Sequence, residues 1–252
     1  ELHLSCPPRI GKTSLIIFFL LWIMGRDSER SNLYCSYSDT ITAGFYNGAI
    51  EILTDQQTYH FKDIFPTSEL KGTNAKEEYF DLDRKKHYHS LTCRSLYGTL
   101  NGACDASGYI VADDLISGIE EALNKDRLKS AWDKVNNNLL TRGKEKTKII
   151  FIGTRWSLAD PIGVRREMLA NDDKFKYLRT QIIDIPALDE SEQSNFDYDY
   201  GVGFSTERYQ AVRSSFERTN DLASWDAQYM QKPVERTGSL FEPDAMRYFN
   251  GE

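Results

Sequence analysis

Gly11-Lys12-Thr13 stands between a short apolar stretch, Leu2 to Ser5, and a long one, Leu15 to Met24. That setting gives the three residues a chemistry. Where a strand runs through a tight turn into a helix, backbone N–H groups point outward and the helix dipole draws an anion to them. Lys12 would then reach the β- and γ-phosphates of a nucleotide, and the Thr13 hydroxyl would ligate Mg²⁺. Pro7 and Pro8 have no N–H, so the donors must come from Arg9 through Thr13. The nucleotide-contacting stretch is therefore expected to be Pro8, Arg9, Ile10, Gly11, Lys12, Thr13 and Ser14. Against the pattern G-x-x-x-x-G-K-[ST] there is one departure, Cys6 in place of the first glycine. It keeps open a second reading, a nucleotide-binding structural protein with a degenerate loop. A chance Gly-Lys-Thr in a turn is the simplest alternative.

A loop of this kind needs an acid about a hundred residues downstream, and Tyr109-Ile110-Val111-Ala112-Asp113-Asp114 supplies two. The first would hold the Mg²⁺ shell and the second would orient or deprotonate an attacking water. An Asp capping the next helix would produce the same string. Two adjacent carboxylates at the end of a buried strand are nevertheless costly without a cation to share. A third strand end, Phe151-Ile152-Gly153-Thr154-Arg155-Trp156, follows the same logic. Sheets of this class bind ligands at the carboxyl ends of their strands. Thr154 could hydrogen-bond the γ-phosphate or the lytic water; the competing reading is a strand end with Trp156 in the core.

The elements that must position these groups are legible in outline. Strands are expected at Leu2–Ser5, Leu33–Tyr37, Tyr109–Ala112 and Ile149–Gly153, and the texture changes after Ile182–Pro186. Shorter ones are expected at Tyr79–Leu82, Tyr88–Cys93 and Leu96–Leu100. Helices are expected from the loop to Gly25, over Thr40–Leu53, along Gly118–Leu140, and at about 206–218 and 221–231. Apolar strands that alternate with helices and end in polar clusters predict an α/β fold with a mostly parallel central sheet covered on both faces. Residues 189–204 are polar and read as a linker, and 233–252 as a turn-rich end.

Composition narrows the class. The 252 residues are 40% hydrophobic and 27% charged with a net charge of −7, a globular chain that does not bind nucleic acid by bulk positive charge. Cys6, Cys35, Cys93 and Cys104 form no C-x-x-C pair, which argues against a zinc ribbon or disulfide scaffold and for a reducing compartment. The ten-residue apolar run is about half a bilayer core, so no membrane association is expected. The chain opens on Glu1 without a methionine, so an upstream segment is expected.

Lesser candidates have ordinary explanations. His87 and His89 share a face of the expected strand, on what reads as a wet edge. Arg84–Lys86 and Arg142–Lys148 could touch DNA phosphates or simply be solvated. Asp197 and Asp199 read as solvated loop, and Tyr198, Tyr200 and Phe204 as anchors rather than base-stacking platforms. Arg94, Arg155, Arg165 and Arg166 are candidates for arginines acting on a neighbouring subunit.

The motif set resembles the ATPase domain of the large terminase subunit of tailed bacteriophages, the DNA-packaging motor. The matching residues are Pro7 to Thr13, Ser36-Tyr37-Ser38, Ile110 to Asp114, and Thr154-Arg155-Trp156 with Asp160. Trp225-x-x-Gln228-Tyr229-x-Gln231-Lys232-Pro233 and Gly238-x-Leu240-Phe241 complete the series. The resemblance implies a P-loop NTPase of the ASCE type, with an extra strand between the two nucleotide-binding strands. It implies a core over 1–186 and a linker with a small C-terminal lid over 187–252. Lys12 and Thr13 would bind ATP·Mg²⁺, Asp113 would be the metal-linked acid and Asp114 the catalytic carboxylate. Arg9 would stabilise charge on the γ-phosphate, and Thr154 would head the motif that couples hydrolysis to movement.

The implied partners are double-stranded DNA, a portal protein and a small terminase subunit. The implied assembly is a homo-oligomeric ring docked on a procapsid in the host cytoplasm, the isolated domain being monomeric. The family's adenine-contacting segment would lie upstream of Glu1 and its nuclease domain near or beyond the C-terminus, so no nuclease activity is expected here. A helicase-like protein or small-molecule kinase is the rival within P-loop enzymes.

Overall fold

A computed structural model of the chain describes residues 1–199 and 203–235. The first strand, β1 (Leu2–Ser5), runs into the loop and helix α1 (Lys12–Arg26), followed by β2 (Asn32–Ser36), α2 (Asp39–Thr54) and the single-turn α3 (Phe61–Ile64). Strands β3 (Leu70–Asn74), β4 (Tyr79–Leu82), β5 (Leu91–Ser95) and β6 (Tyr109–Asp113) follow. The chain continues through α4 (Ile119–Ala122), α5 (Lys125–Lys134), β7 (Lys148–Gly153), α6 (Pro161–Asn171) and β8 (Gln181–Asp184), and then α7 (Thr206–Arg218) and α8 (Leu222–Gln228).

The eight strands form one sheet in the order β3-β4-β5-β2-β6-β7-β1-β8. From β5 to β8 every neighbouring pair is parallel, and β3 and β4 add an antiparallel edge. Strand β7 lies between β1, which feeds the Gly-Lys-Thr loop, and β6, which carries the acids. This is the α/β P-loop NTPase architecture with a strand inserted between the two.

Side-chain alternation sorts the strands onto two cores. Tyr34, Val111, Ile150 and Ile152 face α1 and α2, packing with Ile16, Leu20, Met24, Phe45 and Ala49. Leu33, Cys35, Ile110, Ala112 and Phe151 face the other way, onto Leu128, Ala131 and Val135 of the α5 segment and Ile162 of α6. Asp113, two residues beyond Val111, therefore points to the α1 side. That parity brings it to the start of the helix that follows the loop.

Several expectations are corrected. Leu96–Leu100 is a turn after β5, not a strand; Leu96 donates one last N–H to the Ser36 carbonyl of β2, and Leu96 and Leu100 are buried in the second core. The helical region from 118 breaks at Asn124, whose side chain accepts from the N–H groups of Asp126 and Arg127 and restarts the helix as α5. It then widens to a π-turn over Val135–Leu139. Helix α1 passes Gly25, which is needed because a Cβ there would lie 2.5 Å from the Phe65 ring. His87 and His89 lie outside any strand, and His89 Nδ1 pairs with the buried Asp81 at 2.9 Å while its ring stacks on Tyr79. Helix α6 has no apolar stripe, since Pro161, Ile162, Gly163 and Arg165 make up its buried residues, so periodicity could not reveal it.

A third cluster buries Ala187, Leu188, Phe196, Tyr209 and Trp225 together with Cys6. The 189–199 segment is fastened to it by Phe196, while Asp197 and Asp199 are exposed. Phe204 packs edge-on against Tyr209 as an anchor; Tyr200 and Gly238-x-Leu240-Phe241 lie outside the described residues. Among the described residues no helix is long and apolar enough to cross a membrane.

Candidate functional site

The carboxyl ends of β1, β7 and β6 bring Lys12, Thr154, Asp114, Asp113 and Thr13 together. Helix α1 begins at Lys12 behind Gly11, whose φ of 88° is a left-handed conformation that favours glycine. No side chain caps this N-terminus and no acid sits in its first turn. The leading N–H groups of the helix thus have no side-chain competitor for an anion.

Lys12 is buried and fully engaged. Its ammonium donates to the carbonyls of Pro7 (2.8 Å) and Cys6 (3.3 Å) and to Thr154 Oγ1 (3.1 Å). Thr154 in turn donates its backbone N–H to Asp114 Oδ1 at 2.8 Å. Asp114 adopts a left-handed φ of 40°, uncommon for a non-glycine residue and of the kind that collects at functional sites. Gly153 leaves the room this requires, because a Cβ there would lie 2.9 Å from Asp114 Oδ1.

Asp113 is 1% exposed. Its Oδ2 accepts from the Thr13 hydroxyl at 2.9 Å and from the Tyr34 hydroxyl at 2.7 Å, whereas Oδ1 is buried without a hydrogen-bond partner. Burial and the adjacent Asp114 charge push the Asp113 carboxyl above the usual carboxylate range, and the Tyr34 and Thr13 hydroxyls pull the other way. A buried oxygen left bare beside a threonine hydroxyl fits a magnesium–nucleotide complex. Mg²⁺ usually takes one or two carboxylate contacts and fills its shell with phosphates and water. Among the described residues no group of three or more His, Cys, Asp or Glu forms a metal cage.

The Cys6 departure has a structural explanation. Its side chain is 2% exposed and packs into the third cluster, so the first loop position carries a contact to residues 187–235. Burial pushes its thiol up to about 11, which makes a reactive thiolate unavailable. Ile10 packs against the same cluster.

Arg9 is exposed at a left-handed φ of 65° and makes no ion pair among the described residues; it is not brought to the acids. Pro8 and Ile10 lie in the same turn, and Ser14 is exposed in the first turn of α1. Arg155 is buried against Asp160, with Nε 3.0 Å from Oδ2, and Asp160 also caps α6. Arg165 pairs with Glu1, Arg166 with Asp184 and Ser5, and Arg94 with Glu77. All four candidates for an arginine acting on a neighbour are engaged within this chain. The basic stretches are partly neutralised, Arg84 by Glu29 and Lys144 by Asp105.

Two residues of the site were not singled out for a role in the sequence. Tyr34 meets Asp113 from β2, and only the strand order, which joins β2 to β6, reveals it. Gln231, at a left-handed φ of 58°, accepts the Arg155 N–H through Oε1 at 3.4 Å and ties the third strand end to the C-terminal cluster.

No known protein-family profile matches the sequence, and neither does any curated protein. Solved structures do match the fold. The large terminase of bacteriophage HK97 superposes with a TM-score of 0.53 at 13% identity, covering 90% of this chain and 46% of that one. A variant of the large terminase ATPase domain of Thermus phage P74-26 superposes with a TM-score of 0.51 at 10% identity, covering 92% and 89%. The chain thus has the fold of large terminase ATPase domains and spans about half the length of the HK97 protein.

Proposed function

We propose that this chain is the ATP-hydrolysing motor domain of a large terminase subunit, driving double-stranded DNA into a viral procapsid. The observation that carries the reading is the convergence of Thr13, Asp113, Asp114, Thr154 and Lys12 at three adjacent strand ends. The likeness in fold and the motif series of the sequence both support it.

Lys12, with the leading N–H groups of α1, binds the β- and γ-phosphates. Thr13 and Asp113 hold the divalent cation, which when bound neutralises charge on the transferred phosphoryl group. Asp114, fixed by the Thr154 N–H, orients the attacking water and accepts its proton. Thr154 registers the γ-phosphate, a role supported by the contact of its hydroxyl with the Lys12 ammonium. Arg9, exposed in the loop, closes on the phosphates as a charge stabiliser. Residues 187–252 act as the lid, which Cys6, Ile10 and Gln231 connect to the loop and to the β7 end. In this reading the working form is a ring of copies docked on a portal protein with a small terminase subunit, in the host cytoplasm.

The degenerate-scaffold alternative loses its main support once Cys6 is accounted for by packing. Phosphate release from Mg·ATP, wild type beside Asp114→Asn, with and without double-stranded DNA, tests the proposal. Turnover that is lost in the variant and altered by DNA is expected. Nucleotide binding without turnover at any protein concentration or with DNA would reject it.

A further inference from the structure

The Tyr34 phenol is a second, unassigned component of the acid site. It is fully buried on β2, its ring is stacked on Phe45 with centroids 3.6 Å apart and planes 16° from parallel, and its hydroxyl is 2.7 Å from Asp113 Oδ2. Phenylalanine would fill the same space, so packing does not account for the hydroxyl. Backbone register explains the reach: Tyr34 lies opposite Val111, and Asp113 is the next residue of β6 on the same face. Thr13 Oγ1 donates to the same oxygen at 2.9 Å. Two donors thus converge on Oδ2, and Oδ1 has none. Two hydroxyls on one oxygen fix the plane of the carboxylate and leave its other oxygen free.

We propose that Tyr34 is a positioning residue for the metal: its hydroxyl pins Asp113 through Oδ2, so that Oδ1 is the oxygen presented to a divalent cation held with the nucleotide. This rests on the ATP·Mg²⁺ reading given above. Outer partners that orient a ligating group commonly change metal affinity by about 10–100-fold.

The test uses the 252-residue chain and its Tyr34→Phe variant, which keeps the ring volume and the stack on Phe45. Mn²⁺ is titrated calorimetrically into each protein saturated with a non-hydrolysable ATP analogue, and analogue affinity is measured separately in EDTA. Mn²⁺ binding weakened about tenfold in Tyr34→Phe, with metal-free nucleotide affinity within about twofold of wild type, is the expected result. Equal Mn²⁺ affinity in the two proteins would overturn the proposal while leaving the ATP reading intact. Failure of the wild type to bind the analogue would instead overturn the ATP reading. A Phe45→Leu variant thins the stack and keeps the hydroxyl, so it is expected to lower the melting temperature with the Mn²⁺ constant unchanged. If it weakens Mn²⁺ as much as Tyr34→Phe does, packing rather than the hydroxyl is responsible and the proposal falls.

Discussion

The Lys12 ammonium and the Thr154 hydroxyl lie 3.1 Å apart although 142 residues separate them in the chain. Thr154 also donates its N–H to Asp114, so a single residue touches both Lys12 and the second acid. A shift of the β7 end therefore moves both.

Lys12→Ala and Asp114→Asn should both stop ATP turnover but for different reasons. Loss of the lysine removes a charge-assisted contact, and nucleotide affinity is expected to fall by about 10–100-fold. Asp114→Asn should leave affinity near wild type and lower turnover by about 10²–10⁴-fold, the usual range for a general base. Equilibrium binding of a fluorescent ATP analogue beside a phosphate-release assay separates the two.

Thr154→Val keeps the shape of the side chain and its N–H but removes the hydroxyl that meets Lys12. Turnover about tenfold lower, with nucleotide affinity within about threefold, is the expected split. Thr154→Ser should restore most of the rate, and a serine variant as slow as valine would contradict a role for the hydroxyl.

Gly153→Ala places a methyl group 2.9 Å from Asp114 Oδ1 and 3.4 Å from its backbone nitrogen. Overpacking of this kind costs about 1–3 kcal/mol. The lowered melting temperature should be accompanied by a loss of turnover, because the displaced group is the acid itself. A variant as stable and as fast as wild type would show that this fit is loose.

Cys6→Gly would restore the common loop pattern and yet is expected to harm the protein. It removes a buried side chain from the cluster of Ala187, Leu188, Phe196, Tyr209 and Trp225 and loosens the backbone, costing about 1–3 kcal/mol. Limited proteolysis should cut faster within 189–199 in the variant. Unchanged cleavage would mean that the contact does not hold the segment.

Acid should destabilise the fold through His3. The ring is fully buried against Phe151, and burial holds its pKa below the ordinary histidine value despite the pull of Glu1. The folded state therefore takes up the proton less readily than the unfolded chain. This stability contribution is complete above about pH 6.5 and declines as pH falls below it. Melting curves between pH 7.5 and pH 5 should show a slope that His3→Phe flattens.

Much of the site could be read from the sequence because it lies at strand ends, where apolar runs stop at polar clusters. Gly11, Lys12, Thr13, Asp113, Asp114 and Thr154 announce themselves in this way. Tyr34 does not, since a tyrosine inside Asn32–Ser36 looks like any buried strand residue until β2 is known to pair with β6. Cys6 reads as a defect in a loop motif because its packing partners lie more than 180 residues away. Helix α6 was missed for lack of an apolar stripe, and its start depends on the Asp160 cap, which also binds the Arg155 guanidinium.

Strand order also imposes a timetable on folding. The sheet partners of β1 among the described residues are β7 and β8, so β1 has no ladder there until residues 148–153 have been made. Helix α1 and the β2–β6 portion contain their own pairings and can condense earlier, but the loop cannot close between unpaired neighbours. During synthesis the candidate site is therefore completed late, by contacts of very high sequence separation, the slow kind to form. A nascent chain that stops short of β7 would leave β1 without either sheet partner; β7 covers one edge and brings the site's strand ends side by side, and β8 covers the other.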